Sequence, residues 1–237
     1  MSVILRPARQ RGHARLSWLD SWHSFSFADY YDPRHMGFRA LRVINEDIIS
    51  PGTGFGTHGH RDMEIVTYVT SGSLEHRDST GEHAMICQGE VQRMSAGTGI
   101  RHSEFNSSDH APVKLLQIWI MPEREGLPPG YEQKSFDDLA KRNRFCTIAS
   151  ADGRDGSVRI RQDVMLFAAC LDPDVQLQRE LTPGRAAWLQ VVAGGLRVNG
   201  VMAEAGDGVA LEAEALVDLR ANSESEILCF DLGPYPL

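Results

Sequence analysis

The sequence predicts an all-β protein built as two tandem antiparallel sandwiches or barrels, with few short helices. Three observations carry this. Helical periodicity is scarce along the 237 residues. Short alternating or β-branched runs recur, each ended by Gly, Asn, Asp or Pro. One order of strands and turns occurs twice.

The strands follow from local pattern. "ALRVINEDIIS", "EIVTYVTSGSLEHRD", "KLLQIWIMP", "SVRIRQDVMLFAAC", "AAWLQVVAGGLRVNG" and "SEILCFDLG" alternate or carry β-branched runs. "RDSTGEH" reads as a hairpin turn, and Asn199-Gly200 in "RVNGVM" as another. The polar, proline-containing segment 121–143 separates two strand-rich blocks and reads as an inter-domain connection. Its end, "SFDDLAKRN", suits a helix over 135–143, with Ser135 as cap and Asp137 and Asp138 in the first turn. The expected domains are 1–130, a connector with a short helix at 131–143, and 144–237. The two blocks match in layout: strand, Gly turn, strand, tight turn, strand, then Gly-acid at Gly89-Glu90 and Gly206-Asp207.

Composition narrows the function classes. Apolar residues make up 42% and charged residues 24%, as in ordinary globular domains. Net charge is −8, and an acidic surface repels phosphate backbones, so direct nucleic-acid binding is not expected. No apolar run reaches membrane-spanning length and the first residues lack a signal-peptide pattern, so the expected location is cytoplasmic. Cys87, Cys146, Cys170 and Cys229 have no CxxC spacing and read as buried free thiols.

Chemistry concentrates in the first block. All nine histidines lie at or before His110. "GFGTHGHRDME" carries His58 and His60, and "GTGIRHSEFN" carries His102 and Glu104, each pair at i and i+2. Residues two apart on a strand share a face. If the two strands are neighbours, three imidazoles and one carboxylate converge. Without thiolates, that set suits iron, manganese, nickel, copper, cobalt or zinc. Glu64 has the parity of His58 and His60, and reads as an inward carboxylate, a partner of an imidazole N–H, or a paired interior residue. His76 and His83 flank the turn "RDSTG" and read as solvated. His110 sits in a loop. The aromatic stretch "WLDSWHSFSFADYYDP" reads mainly as packing, with Trp18, Trp22, Phe25 and Phe27 as core material. "PGTGFG" lacks the GK[ST] of a P-loop, and no GxSxG is present.

These motifs resemble the cupins, and within them the pirin family. Gly52, His58, His60 and Glu64 fit the first cupin motif, with its last glycine one residue late at Gly72. Gly89, Gly97, His102 and Asn106 fit the second, with Ser95 in place of proline and a longer step from Gly97 to His102. "FGTHGHRDMEIVTYVTSG", "MSAGTGIRHSE", "SWHSFSFADYYDPRHMGF" and "LLQIWIMP" resemble the pirin forms, strongly over residues 6 to about 135 and in layout beyond. The resemblance is nearest to short bacterial members, some described as quercetinases. It implies a bicupin of two β-sandwich/jelly-roll barrels with one metal in the first only. It implies His58, His60, His102 and Glu104 as ligands, so Glu104 displaces Glu64 from that role. The implied metal is one divalent transition ion, with Fe(II) first and Ni, Mn, Co, Cu or Zn as alternatives.

The implied activity is that of a quercetin 2,3-dioxygenase, which takes a flavonol and O2, opens the ring and releases carbon monoxide. Glu104 is the expected catalytic base. The alternative is a non-enzymatic metal- and redox-sensing regulator that binds a partner protein. Structural zinc ranks below both, because such sites favour thiolates.

Overall fold

A computed structural model describes residues 2–235. Two β-sandwiches follow one another, each made of a seven-stranded and a four-stranded sheet. The large sheet of the first runs Gly130–Ser135, Glu90–Ser95, Glu64–Ser71, Val113–Ile120, Leu41–Ile49, Leu19–His23, Gly12–Arg15 in spatial order. Its small sheet runs Gly54–His60, Ile100–Phe105, Ser73–Asp78, His83–Cys87. In the second sandwich the large sheet runs Ser2–Arg6, Gly208–Glu212, Ala186–Ala193, Ser225–Leu232, Val164–Leu171, Cys146–Ser150, Val158–Arg159. The small one runs Gln176–Glu180, Leu216–Ala221, Gly195–Val198, Val201–Glu204. Hairpins dominate, and the turn at Asn199 and Gly200 has positive φ at both residues, as a two-residue type I′ turn requires.

The two large sheets pack on each other, so the molecule has four layers. Val66, Tyr68, Leu116, Ile118 and Ile120 of the first meet Leu166, Ala168, Trp188, Leu228 and Phe230 of the second in one core. Alternation explains this. In Val113–Ile120, Leu116, Ile118 and Ile120 face the second sandwich, while Val113 and Leu115 join the interior of the first with Leu74 and Ile86. A strand covered on both faces reads as a near-continuous apolar run, and "KLLQIWI" is such a run. Gln117 and Trp119 share the parity of Leu115 and face the interior of the first sandwich.

Four expectations change here. Ser2–Arg6 joins the second sandwich, paired antiparallel with Gly208–Glu212, although it opens the chain. Val3 and Leu5 pack on that second core while Ile4 is exposed. Residues 130–135 form no open connector; they are the edge strand beside Glu90–Ser95. The helix is one turn, Asp138–Lys141, and its cap is Asp137, which accepts from the Ala140 N–H at 2.7 Å. Ser135 is held at the end of the preceding strand and cannot cap. All four thiols are free, but only Cys229 is buried, and Cys87 is exposed. No helix among the described residues is long and apolar enough to cross a membrane.

Candidate metal centre

The site lies on the inner face of the small sheet of the first sandwich. Gly54–His60 and Ile100–Phe105 are antiparallel neighbours, with His102 opposite His58 and Ile100 opposite His60. A bulge between His102 and Glu104 shifts the register, so Glu104 pairs with Phe55. The close approach needs glycine at position 54: a Cβ there would lie 2.1 Å from the Glu104 carbonyl oxygen.

Three imidazoles converge. Ring centroids are 4.8 Å apart for His58 and His60, 4.4 Å for His58 and His102, and 4.9 Å for His60 and His102. One nitrogen from each lies within 4.8 Å of the other two. His58 Nδ1 is 2.9 Å from the Gly56 carbonyl oxygen, so Nδ1 carries the hydrogen and Nε2 keeps a free lone pair. His102 is buried, and its Nε2 has no hydrogen-bond partner. Burial, then the neighbouring His58, pushes His60 down to about 4. Burial, with His58, His60 and His76 adding to it, pushes His102 far below the ordinary imidazole value. At neutral pH His60 and His102 are therefore uncharged and offer lone pairs. Trp119 stands edge-on to His60 at 4.9 Å. Arg61, Thr98, Ile100 and Arg101 border a surface depression of about 380 Å³ that reaches His60.

Glu104 is buried on the other side of His102. Gln117 Nε2 donates to both of its oxygens, at 3.1 and 3.0 Å. The Thr67 hydroxyl donates to Gln117 Oε1 at 3.1 Å, which fixes the amide so that its N–H groups face Glu104. Burial raises the Glu104 carboxyl to about 7; the Gln117 bond opposes this and nearby Asp47 adds to it. Its carboxylate groups with His76 and His102, not with the His58 and His60 nitrogens. The structure thus brings all four expected residues to one face, with His102 at the junction of two overlapping clusters.

A buried, unpartnered imidazole nitrogen is costly unless something electrophilic occupies its lone pair. Three converging imidazoles with an adjacent carboxylate fit a divalent transition ion, and the absence of thiolates argues against a closed structural zinc site.

Glu64 is elsewhere. It belongs to Glu64–Ser71 in the large sheet, with the parity of Val66 and Tyr68, and accepts the Arg161 backbone N–H of the second sandwich at 3.1 Å. Of the roles considered, it is the paired interior residue. Parity counts only within one strand, and the chain breaks between His60 and Glu64, where Asp62 has φ 47.

His76 is the main residue missed. It is fully buried, with Nε2 3.1 Å from Asp78, rather than solvated. The signal was present: Leu74, His76 and Asp78 alternate on one strand, and an inward Leu74 sends the other two inward. His83 is exposed beside Glu75, as expected of a solvated residue. His23 is buried against Asn45, and His13 stacks on Trp22, so both serve packing.

A model of the Pirin family matches residues 4–120, and one of the quercetinase C-terminal cupin domain matches residues 147–232. The chain is 51% identical to quercetin 2,3-dioxygenase of Escherichia coli (strain K12) over 232 residues, 98% of this chain and 99% of the relative. The crystal structure of YhhW from Escherichia coli superposes with a TM-score of 0.96 at 50% identity, covering 100% of both chains. The nickel(II) complex of bacterial pirin YhhW from Escherichia coli gives 0.94 at 50% identity, covering 98% of this chain and 100% of that one. With near-complete coverage at this identity, and with the paired motifs on adjoining strands of a bicupin, the chain belongs to the pirin family.

Proposed function

We propose that this protein is a metal-dependent dioxygenase that opens flavonols such as quercetin, with His58, His60, His102 and Glu104 holding one divalent ion. The observation that carries this reading is the convergence of three imidazoles, one with a buried and unpartnered nitrogen, beside a buried carboxyl raised to about 7. The 51% identity to the Escherichia coli quercetin 2,3-dioxygenase supports it. We assign Fe(II) as the ion, with nickel(II), bound by the 50% identical relative, as the alternative. Bound there, the ion supplies Lewis acidity toward an enol oxygen and a centre at which O2 can react.

The chain's own residues do the rest. Glu104, poised near neutrality, accepts the proton of the flavonol 3-hydroxyl at a carboxylate oxygen. Gln117 holds both oxygens of Glu104 and steadies the charged form. Trp119 and Phe55 stand beside His60 and His58 and limit how the rings turn. The second sandwich covers the large sheet from behind and fixes the strands that carry Thr67 and Gln117.

The test is anaerobic purification with metal analysis, followed by flavonol absorbance, O2 uptake and carbon monoxide release. Metal-loaded protein should bleach quercetin with matched O2 consumption, and the His102→Ala variant should do neither. Loaded protein that leaves quercetin intact would overturn the enzymatic reading in favour of a metal-sensing regulator.

A further inference from the structure

His76 and Asp78 take no part in the reading above, yet both side chains are wholly buried against the cluster. They sit on Ser73–Asp78, the other neighbour of Ile100–Phe105, with Asp78 opposite His102 and His76 opposite Glu104. Tyr131 closes over His76 at 5.0 Å between ring centroids. Burying an imidazole and a carboxylate costs free energy unless each polar atom is used.

The hydrogen bonds run in one direction. Asp78 Oδ1 accepts the backbone N–H and hydroxyl of Thr80, at 2.8 and 2.6 Å. These donors hold the ionised carboxylate in place. Its Oδ2 lies 3.1 Å from His76 Nε2. An ionised carboxylate only accepts, so His76 carries its hydrogen on Nε2. His76 Nδ1 is then an acceptor whose single lone pair is shared between the Gln92 amide N–H at 3.1 Å and His102 Nδ1 at 3.5 Å. A hydrogen on His102 Nδ1 satisfies that contact, and a neutral ring then has its lone pair on Nε2. That is the buried nitrogen with no partner. His58 reaches the same tautomer through the Gly56 carbonyl.

We propose that Asp78 and His76 are positioning residues: Asp78 sets the tautomer of His76, and His76 accepts the Nδ1 hydrogen of His102, so that the His102 Nε2 lone pair faces the metal. The proposal rests on His102 being a ligand. Its logic is that of an imidazole ligand whose second nitrogen is held by an acceptor, here a neutral histidine backed by a carboxylate rather than the carboxylate itself.

Two measurements test it. In ¹⁵N-edited NMR of the metal-free wild-type protein, His102 should carry its hydrogen on Nδ1 and His76 on Nε2, with His76→Leu and His102→Ala used for assignment. A hydrogen on His102 Nε2, or a doubly protonated His76 at neutral pH, would sink the proposal. In calorimetric titration with nickel(II), His76→Leu should bind about 10–100-fold more weakly than wild type. His76→Gln, whose Oε1 can accept from His102, should recover most of that loss, which a merely space-filling role would not produce. Wild-type affinity in His76→Leu overturns the proposal. If His76→Leu does not fold, the wild-type NMR pattern decides. Wild-type protein with the stated tautomers but no nickel uptake would overturn the metal-centre reading instead, and the proposal with it.

Discussion

The two sandwiches share the order of their inner strands, and their interiors differ in kind. In the first, Thr67, Gln117 and Glu104 form a hydrogen-bonded line across the interior, flanked by His76, Asn45 and Asp47. At the corresponding strand positions the second holds Leu189, Cys229 and Leu219, flanked by Val198, Phe167 and Ala169, all in one apolar core. One architecture thus carries a reactive interior and an inert one. Burying a polar group without its partner costs about 1–3 kcal/mol, and most of the polar residues inside the first sandwich pair with one another. The second has no such constraint, and its core can hold the shared sheet interface rigid.

The largest effect should come from giving the second interior the chemistry of the first. Leu219→Glu buries a carboxylate among aliphatic side chains, with no counterpart to Gln117. It should cost roughly 3–5 kcal/mol, the scale of an uncompensated buried charge. Urea unfolding of wild type and variant checks this, and an unchanged midpoint would mean the two interiors are less different than their side chains.

Next is the reverse exchange, His102→Leu. It should lower nickel(II) affinity at least about 100-fold, while the metal-free protein melts no lower than wild type, because an unpartnered buried nitrogen is replaced by apolar surface. Calorimetry with and without metal separates the two effects.

Asp47 offers a pH-dependent comparison with its apolar counterpart Ala169. Burial raises its carboxyl from 3.8 to about 7, against the Ser21 hydroxyl that donates to it. The folded state therefore holds this proton more tightly than the unfolded state. The cost of ionising Asp47 is absent below pH 3.8, grows as pH rises toward 7, and is complete above it. Asp47→Asn should gain on wild type by about 1.4 kcal/mol per pH unit across that window, and keep the gain above it. Parallel stability curves from pH 4 to 8 would contradict this.

Gln117→Leu should have the smallest effect, about 1–2 kcal/mol of stability from the lost bonds to Glu104. It should also move the acid limb of any flavonol turnover to higher pH, because the bond that favours the charged carboxylate is gone. A pH–rate profile measures the shift.

What could be read in advance follows from how far each signal travels. The pairs His58/His60 and His102/Glu104 were legible because i and i+2 parity acts within one strand. The two-sandwich plan was legible because turn residues recur locally. Glu64 misled because parity was carried across Asp62, where the chain changes sheets. His76 was obscured by its nearness to a hairpin, although Leu74 marked its face. The destination of Ser2–Arg6 was not legible, since nothing local in "SVILR" specifies an edge roughly 200 residues away. Gln117 and Gln92 were equally silent, because a polar residue in a buried strand announces itself only once its partner across the sandwich is known.

The pairing of Ser2–Arg6 with Gly208–Glu212 also sets the order of events during synthesis. At roughly 5–20 residues per second, the opening strand leaves the ribosome about ten to forty seconds before its partner exists. During that interval Val3 and Leu5 have no core to enter, while the first sandwich can already assemble around its histidines. The sheet that Gly208–Glu212 completes therefore waits on a segment made roughly 200 residues earlier, and closing it ties Ser2–Arg6 to the inert half of the molecule.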